Sequence, residues 1–369
     1  MRFIANTKPI VDGLDLGIIQ SNITKFYQKS CIVELTIEHD SLRVNTEASS
    51  IKSELIFKGS VSGEGQSHVF VDSLLFKNLM KTIESDTVDL ELKDDGLTIY
   101  SGKSKFNLPQ VISGDDLELA RPTLYQYDDK ILDVDKSGWE FIQDNQMYAI
   151  AMSFIHPVYT NVWLGEDGDV IVGDFDNSIF THSAKVELGS TCLITDTIVN
   201  LLNTIPEDAK IIKLGRNYEI YVETDPFSYL CEFSPKYEDD EGIGDYNSGI
   251  ILDLFNHTED GIKINTASIS KYIAQAELFT TKNDDTITVD VSGDTFTLIN
   301  ENVNCKIPIE NPFGEFSIIF QIGFLKDAIS HMDKEDIFIS PLMQDDEIVG
   351  MIMWIEEMEV VLAGADEVS

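Results

Sequence analysis

One pattern recurs three times along the 369-residue chain and limits its possible folds more than any other feature. The stretch VFVDSLLFKNLMKTIESDTVDLELKDDGLTIYSGKSKFNLPQV reads as a strand, an amphipathic helix and three short strands, with turns at Asp94-Asp95-Gly96 and Ser101-Gly102. TCLITDTIVNLLNTIPEDAKIIKLGRNYEIYVETDPFSYLCEF follows in the same order, and its Thr204 and Ile205 stand 122 positions after Thr82 and Ile83. FSIIFQIGFLKDAISHMDKEDIFISPLMQDDEIVGMIMWIEEMEVVL runs through it again, Leu325 and Ile329 echoing Leu79 and Ile83. A third of the chain is 123 residues, close to the commonest domain size, so the expected domains are 1–122, 123–248 and 249–369.

Each third also opens alike, with a short strand and then a helix: RFIANTKPIVDGLDLGIIQ, ILDVDKSGWEFIQDNQMYAIAM and GIKINTASISKYIAQAEL. Asn6, Asp135 and Asn265 are the candidate N-caps, because a short polar side chain there accepts from the free N–H groups of the first turn. Between the helices, apolar and polar residues alternate, as in Val33-Leu35-Ile37 and Val170-Val172, which fits sheets buried on one face. The stretches LARPTLYQYDDK and PKYEDDEGIGDYNSG read as linkers. In the helix of 72–84, Leu75, Phe76, Leu79, Met80 and Ile83 form the expected apolar stripe, with Lys77 and Lys81 on the opposite, wet face. Ile198, Leu201, Leu202 and Ile205 form a second stripe, and Phe324, Leu325, Ala328, Ile329 and Met332 a third, with Lys326, Ser330 and Lys334 outward. Two helices lying on sheet, three times over, define an α+β architecture.

Charge narrows the partners. The chain holds 26 Lys and Arg against 65 Asp and Glu, a net charge of −39, while 43% of its residues are hydrophobic, enough for packed cores. Residues 1–123 carry 13 basic and 18 acidic side chains, whereas 124–247 carry 7 and 24 and 248–369 carry 6 and 23. A field this negative repels nucleic acid and anionic lipid, so any DNA contact must be local. No apolar run is long enough to span a membrane and no secretory signal opens the chain, which points to a cytoplasmic protein. Cys31, Cys192, Cys231 and Cys305 lie far apart without a CxxC pair and are expected to be buried small hydrophobes.

Several segments resemble the bacterial DNA sliding clamp, the β subunit of DNA polymerase III: VDSLLFKNLMKTI before SGKSKFNL, the IVNLLNTI and GFLKDAISHM helices, and SPKY ahead of the last third. The resemblance covers the whole length in three-domain order, and its divergence and acidity suggest a phage-encoded or otherwise distant member. It implies three tandem clamp domains, each of two helices packed on two small antiparallel sheets, assembling as a homodimeric ring with helices lining the hole. The implied function is that of a polymerase processivity factor, without enzymatic activity or cofactor, whose partners are encircled double-stranded DNA, a DNA polymerase, a clamp loader and a second copy of itself.

Residues follow from the resemblance. Lys8, Lys77, Lys81, Lys136, Lys271, Lys326 and Lys334 lie on helix faces expected to point inward to DNA, and Lys25 and Lys29 lie on a loop where the family places basic residues. The KSKFNL strand matches the family's subunit edge: Phe106 and Leu108 would meet Leu278 and Phe279 of the partner, while Lys103 and Lys105 face acids such as Glu301. A partner-peptide pocket would be lined by Tyr159, Ile179, Pro235, Tyr237, Val360, Val361 and Leu362. Asp239 stands where the family has an arginine, and Ala363-Gly364-Ala365 replaces bulkier residues, so the accepted peptide should differ from the usual one.

Other chemistry is weaker. Asp174 and Asp176, Glu166 to Asp169 and Glu238 to Glu241 lack calcium-loop spacing, so no metal site is expected. Gly63 and Gly65 are not followed by the lysine of a phosphate loop, and the six histidines form no nucleophile constellation. The rival reading is an acidic interaction protein or DNA mimic that binds basic partners without forming a ring.

Overall fold

The computed structural model describes residues 1–18, 32–48, 51–63, 67–111, 119–122, 132–133, 136–150, 157–165, 167–175, 179–184, 191–207, 209, 211–215, 219–233, 246–256, 260–280, 285–345 and 347–365. Its helices are α1 (Thr7–Gly17), α2 (Ser73–Lys81), α3 (Lys136–Asn145), α4 (Asp196–Asn203), α5 (Ser248–Leu254), α6 (Thr266–Glu277) and α7 (Ile322–Ser330). All but α5 belong to a unit smaller than the sequence period. Six times the chain runs strand, helix, then three antiparallel strands, so the threefold repeat is itself a doubled one.

The six copies exchange their opening strands in pairs. In the first copy, Arg2–Asn6 pairs with Thr87–Lys93 of the second, and in return Ser67–Asp72 of the second pairs with Ile32–Glu38 of the first. Leu132–Asp133 and Cys192–Thr195 are traded in the same way, to Ile211–Gly215 and Asn161–Leu164. So are Ile262–Asn265 and Phe316–Gln321, to Asp336–Gln344 and Thr286–Ser292. An opening strand given to the neighbour removes one open edge from each triplet, which a lone triplet would leave exposed.

The described chain divides into two compact units, Met1–Asp135 with Asn200–Glu238, and Lys136–Val199 with Asp239–Ser369. The middle segment expected at 123–248 is thus shared between them, and α4 straddles the division. Sheet continuity explains the split. In the first unit, Phe227–Phe233 pairs along its whole length with Ile51–Lys58, joining two triplets into one eight-stranded sheet. In the second, Ile179–Ala184 pairs with Met358–Ala363 and builds another sheet of eight. A five-stranded sheet ending in Ser104–Pro109 and a four-stranded sheet ending in Asn304–Pro308 complete the set.

Close packing of α1 shows how the helices sit on these sheets. A Cβ at Gly13 would fall 2.6 Å from the Phe57 ring, and one at Gly17 would overlap Leu55, so two glycines one turn apart let the helix backbone approach the sheet. The Gly17 carbonyl accepts hydrogen bonds from Thr46 Oγ1 and Ser53 Oγ, both at 3.0 Å, which satisfies a helix end that would otherwise be buried without partners. Among the candidate caps, the Asn265 side chain accepts from Ser268 N–H, Asn6 holds the N-cap position without a side-chain bond, and Asp135 lies outside the described residues. Asp72, not singled out from sequence, caps α2 by accepting from Leu75 N–H at 2.7 Å.

The glycine contact gives a direct check. Gly17→Val should lower the unfolding free energy by about 1–3 kcal/mol through overpacking. Gly249→Ala, at a position with no neighbouring atoms within 4 Å, should change it little, both read from urea melts followed by circular dichroism.

Candidate nucleic-acid and subunit interfaces

The lysines of the helix faces prove to be mostly occupied within the chain. Lys77 is a correction to the sequence reading: it is 7% exposed, whereas Leu75, expected in the apolar stripe, is 52% exposed. The physical reason is the helix beside it. α1 carries no basic residue in its own last turn, and Lys77 supplies one, its Nζ donating to the Ile18 carbonyl at 2.9 Å and meeting the Asp15 carboxylate at 3.2 Å. Burial lowers the Lys77 pKa, and the Asp15 carboxylate opposes that shift. Asp15 also holds Lys81 at 2.6 Å.

Lys136 pairs with Glu140 at 3.5 Å, one helical turn away. Lys326 Nζ donates to both Glu277 oxygens at 2.8 Å, and Lys334 reaches Glu357 at 2.7 Å. Lys8 and Lys271 are exposed and make no ion pair among the described residues; the Lys271 ammonium lies 6.0 Å from the Tyr272 ring centroid. Lys25 and Lys29 lie outside the described residues.

Two sheet edges stand out. Four of the six triplets end on strands that pair with one another in the two eight-stranded sheets, and the other two end on Ser104–Pro109 and Asn304–Pro308, which have no outer neighbour among the described residues. On the first edge Lys103 and Lys105 are exposed and Phe106 is half-buried. Leu108 is buried within its own unit, which corrects its assignment as a contact residue: it sits opposite Leu97 in the ladder and points into the core. Beside the second edge, Leu278 and Phe279 follow the end of α6 and are 81% and 52% exposed, and Glu301 is also exposed. Two adjacent large apolar side chains this open to water make the segment a candidate contact surface.

The expected peptide pocket is filled in its described part. Tyr159, Ile179, Val360, Val361 and Leu362 are all buried, and Pro235 and Tyr237 lie outside the described residues. Tyr246 occupies the space against Tyr159 and Trp163, with its hydroxyl donating to the Ile171 carbonyl at 3.1 Å. Phe175, half-exposed, stands edge-on to Tyr159 and Phe180. Asp174 is buried, and Asp176 lies outside the described residues.

Strands Ile179–Ala184 and Met358–Ala363 are fastened by a group that sequence reasoning passed over. His182 has Glu359 Oε2 at 2.9 Å from Nδ1 and Asp169 Oδ1 at 2.9 Å from Nε2. Burial disfavours the imidazolium, but the two carboxylate hydrogen bonds outweigh it, and the His182 pKa is raised above its ordinary 6.5. With both ring nitrogens facing carboxylates, the doubly protonated ring donates to each. The cross-strand register brings His182 opposite Glu359, and that pairing joins segments far apart in sequence.

No family model matches the sequence, and no curated protein matches it. Solved structures do match in fold, and the fold is that of the DNA polymerase sliding clamps. A DNA polymerase sliding clamp from Pseudomonas aeruginosa superimposes with a TM-score of 0.75 at 13% identity, covering 99% of each chain. The DNA polymerase III β subunit from Thermotoga maritima gives 0.77 at 11% identity, again over 99% of each chain. The β subunit of DNA polymerase from Streptococcus pyogenes gives 0.75 at 14% identity over 99% of this chain and 100% of that one.

Replacing Lys77 by Met keeps the apolar stem but leaves the α1 carbonyls without their buried donor, and should cost about 1–2 kcal/mol of stability; Lys81→Met, at an exposed pair, should change the urea midpoint little. Because the folded His182 pKa is raised, its stabilisation is complete below the unfolded value near 6.5 and fades as pH rises through the folded pKa. His182→Gln should therefore reduce stability more at pH 6 than at pH 9 in melts of the two proteins.

Proposed function

We propose that this protein is a DNA polymerase processivity factor: two copies close into a ring around duplex DNA, each joining its 104–109 edge to the 304–308 edge of the other. The observation that carries the reading is the strand count. Four triplet ends pair within the chain, and the other two have no outer neighbour among the described residues, one carrying Lys103, Lys105 and Phe106, the other flanked by Leu278, Phe279 and Glu301. Antiparallel pairing of last strands, used twice inside the chain, then generates the third kind of seam between copies. The three strand-exchanged pairs serve as domains 1–122, 123–248 and 249–369, six to a ring.

Such a ring acts by topology and needs no catalytic group. Retention comes from closure rather than affinity, which accords with lysines already paired to acids: few free cations means few neutralised phosphates and little drag on sliding. Lys8 and Lys271 are the principal DNA-contact residues of this reading, with Lys25 and Lys29 as further candidates, and Lys77 is structural. A polymerase and a ring-opening loader would dock at the surface that Phe175 opens to water, over the buried Tyr159 and the 358–363 strand.

The test is retention on nicked circular plasmid after loading, measured by gel filtration in salt. Wild-type dimer should stay with the circle and run off when the plasmid is linearised. Leu278→Glu with Phe279→Glu should give a folded monomer by sedimentation and abolish retention; a wild-type monomer, or equal retention on linear DNA, would sink the proposal. Lys8→Glu with Lys271→Glu should leave the dimer intact and reduce the salt dependence of DNA binding by about 0.9 in log–log slope for each phosphate that is no longer neutralised.

A further inference from the structure

A second surface of the 239–369 segment has the make-up of a binding site. A cavity of about 440 Å³ opens between the end of α5, the turn at 313–316 and the strands Asp336–Gln344 and Glu347–Ile355. Its apolar wall includes Leu254, Phe313, Leu342, Met343, Ile348 and Ile352. Met343 is 53% exposed and Ile348 is 37% exposed, so the wall is partly open to water. The cavity shares no residue with the cluster around Tyr159 and Leu362.

Three features define what would fit. Ser340 lines the cavity, is 3% exposed, and its hydroxyl has no hydrogen-bond partner among the described residues. Ser340 and Leu342 alternate onto one sheet face and Ile352 is the register partner of Ser340, so the orphan hydroxyl shares its face with the apolar floor. A buried hydroxyl without a partner is costly, and an incoming amide or carbonyl would relieve that cost. Secondly, Asp253 and Glu315 stand in the lining, and neither pairs with a lysine or arginine among the described residues; Glu315 accepts only from Ser292 Oγ, and Asp253 from Asn256 Nδ2. Thirdly, the ladder from Ile262–Asn265 covers Asp336 to Ile339 and stops there. Residues 340–343 therefore run along the cavity with no ladder partner on that side among the described residues, and Pro341 withholds one donor.

We infer that this cavity binds an extended peptide segment of a partner protein, one that sets a large apolar side chain into the trough and a lysine or arginine against Asp253 and Glu315. That side of 340–343 offers backbone hydrogen bonds to an added strand, the usual companion of such pockets. An anionic ligand is excluded by the two carboxylates, and a cationic flank gains from the same field that repels acids. The site does not depend on ring closure, so it stands or falls separately from the processivity reading.

The probe is a capped, fluorescent heptapeptide alternating leucine and lysine, titrated against the full chain by anisotropy, with the leucine–glutamate peptide as control. Saturable binding of the lysine peptide alone is expected. It should weaken at least tenfold in Asp253→Lys with Glu315→Lys, a variant that should in turn bind the glutamate peptide, and at least threefold in Ser340→Val. Amide shifts should map to Ser340, Leu342, Met343 and Ile348. Undiminished binding by the charge-reversed variant would mean attraction to the net negative charge, and would overturn the assignment. So would shifts confined to 358–363, absence of saturation, or a self-association of the free protein that Ile348→Lys abolishes, the last assigning the trough to a second copy.

Discussion

The unpaired edge of a β-strand is the constraint around which this molecule is arranged. Each of the six triplets has two edges, and each edge presents N–H and C=O groups that must find partners or face water. One edge is closed by trading opening strands within a pair of copies, and the other by joining last strands across pairs. Arg2–Asn6 lies in the sheet of the second copy for this reason, and the strand Phe227–Phe233 lies beside Ile51–Lys58 although the two are far apart in sequence. The same rule leaves Ser104–Pro109 and Asn304–Pro308 as the two last strands of triplets without an outer neighbour among the described residues.

Helices are subordinate to that sheet framework. α1 approaches closely enough that Gly13 and Gly17 admit no side chain, and its carbonyl end is satisfied by Thr46, Ser53 and Lys77 from three other elements. A chain with so few cations uses them sparingly. Lys77, Lys81, Lys326 and Lys334 are paired with acids of their own fold.

Much of the fold was legible because its signals are local. The stripes Ile198-Leu201-Leu202-Ile205 and Leu325-Ala328-Ile329-Met332 are buried as their 3.6-residue spacing requires, and the strand–helix–strand–strand–strand order holds in all three thirds. The α2 face misled because hydropathy assigns lysine to water, whereas a lysine with its stem packed and its ammonium on a helix C-terminus is a buried residue. Leu108 misled in the opposite sense, since alternation places it on a face but does not say whether core or partner covers that face. α5 escaped notice in a stretch rich in turn residues, being short and amphipathic only against tertiary neighbours.

Periodicity, turn chemistry and charge sufficed to specify three α+β repeats, their helices and an acidic surface, because each depends on residues within a few positions of one another. Which strand lies beside which, and so the doubled repeat, the two open edges, the His182 clasp and the Ser340 trough, came only with tertiary structure. Backbone hydrogen bonds between strands carry no side-chain signature, and nothing in the order of residues reports that His182, Asp169 and Glu359 will meet until the sheet has set their register.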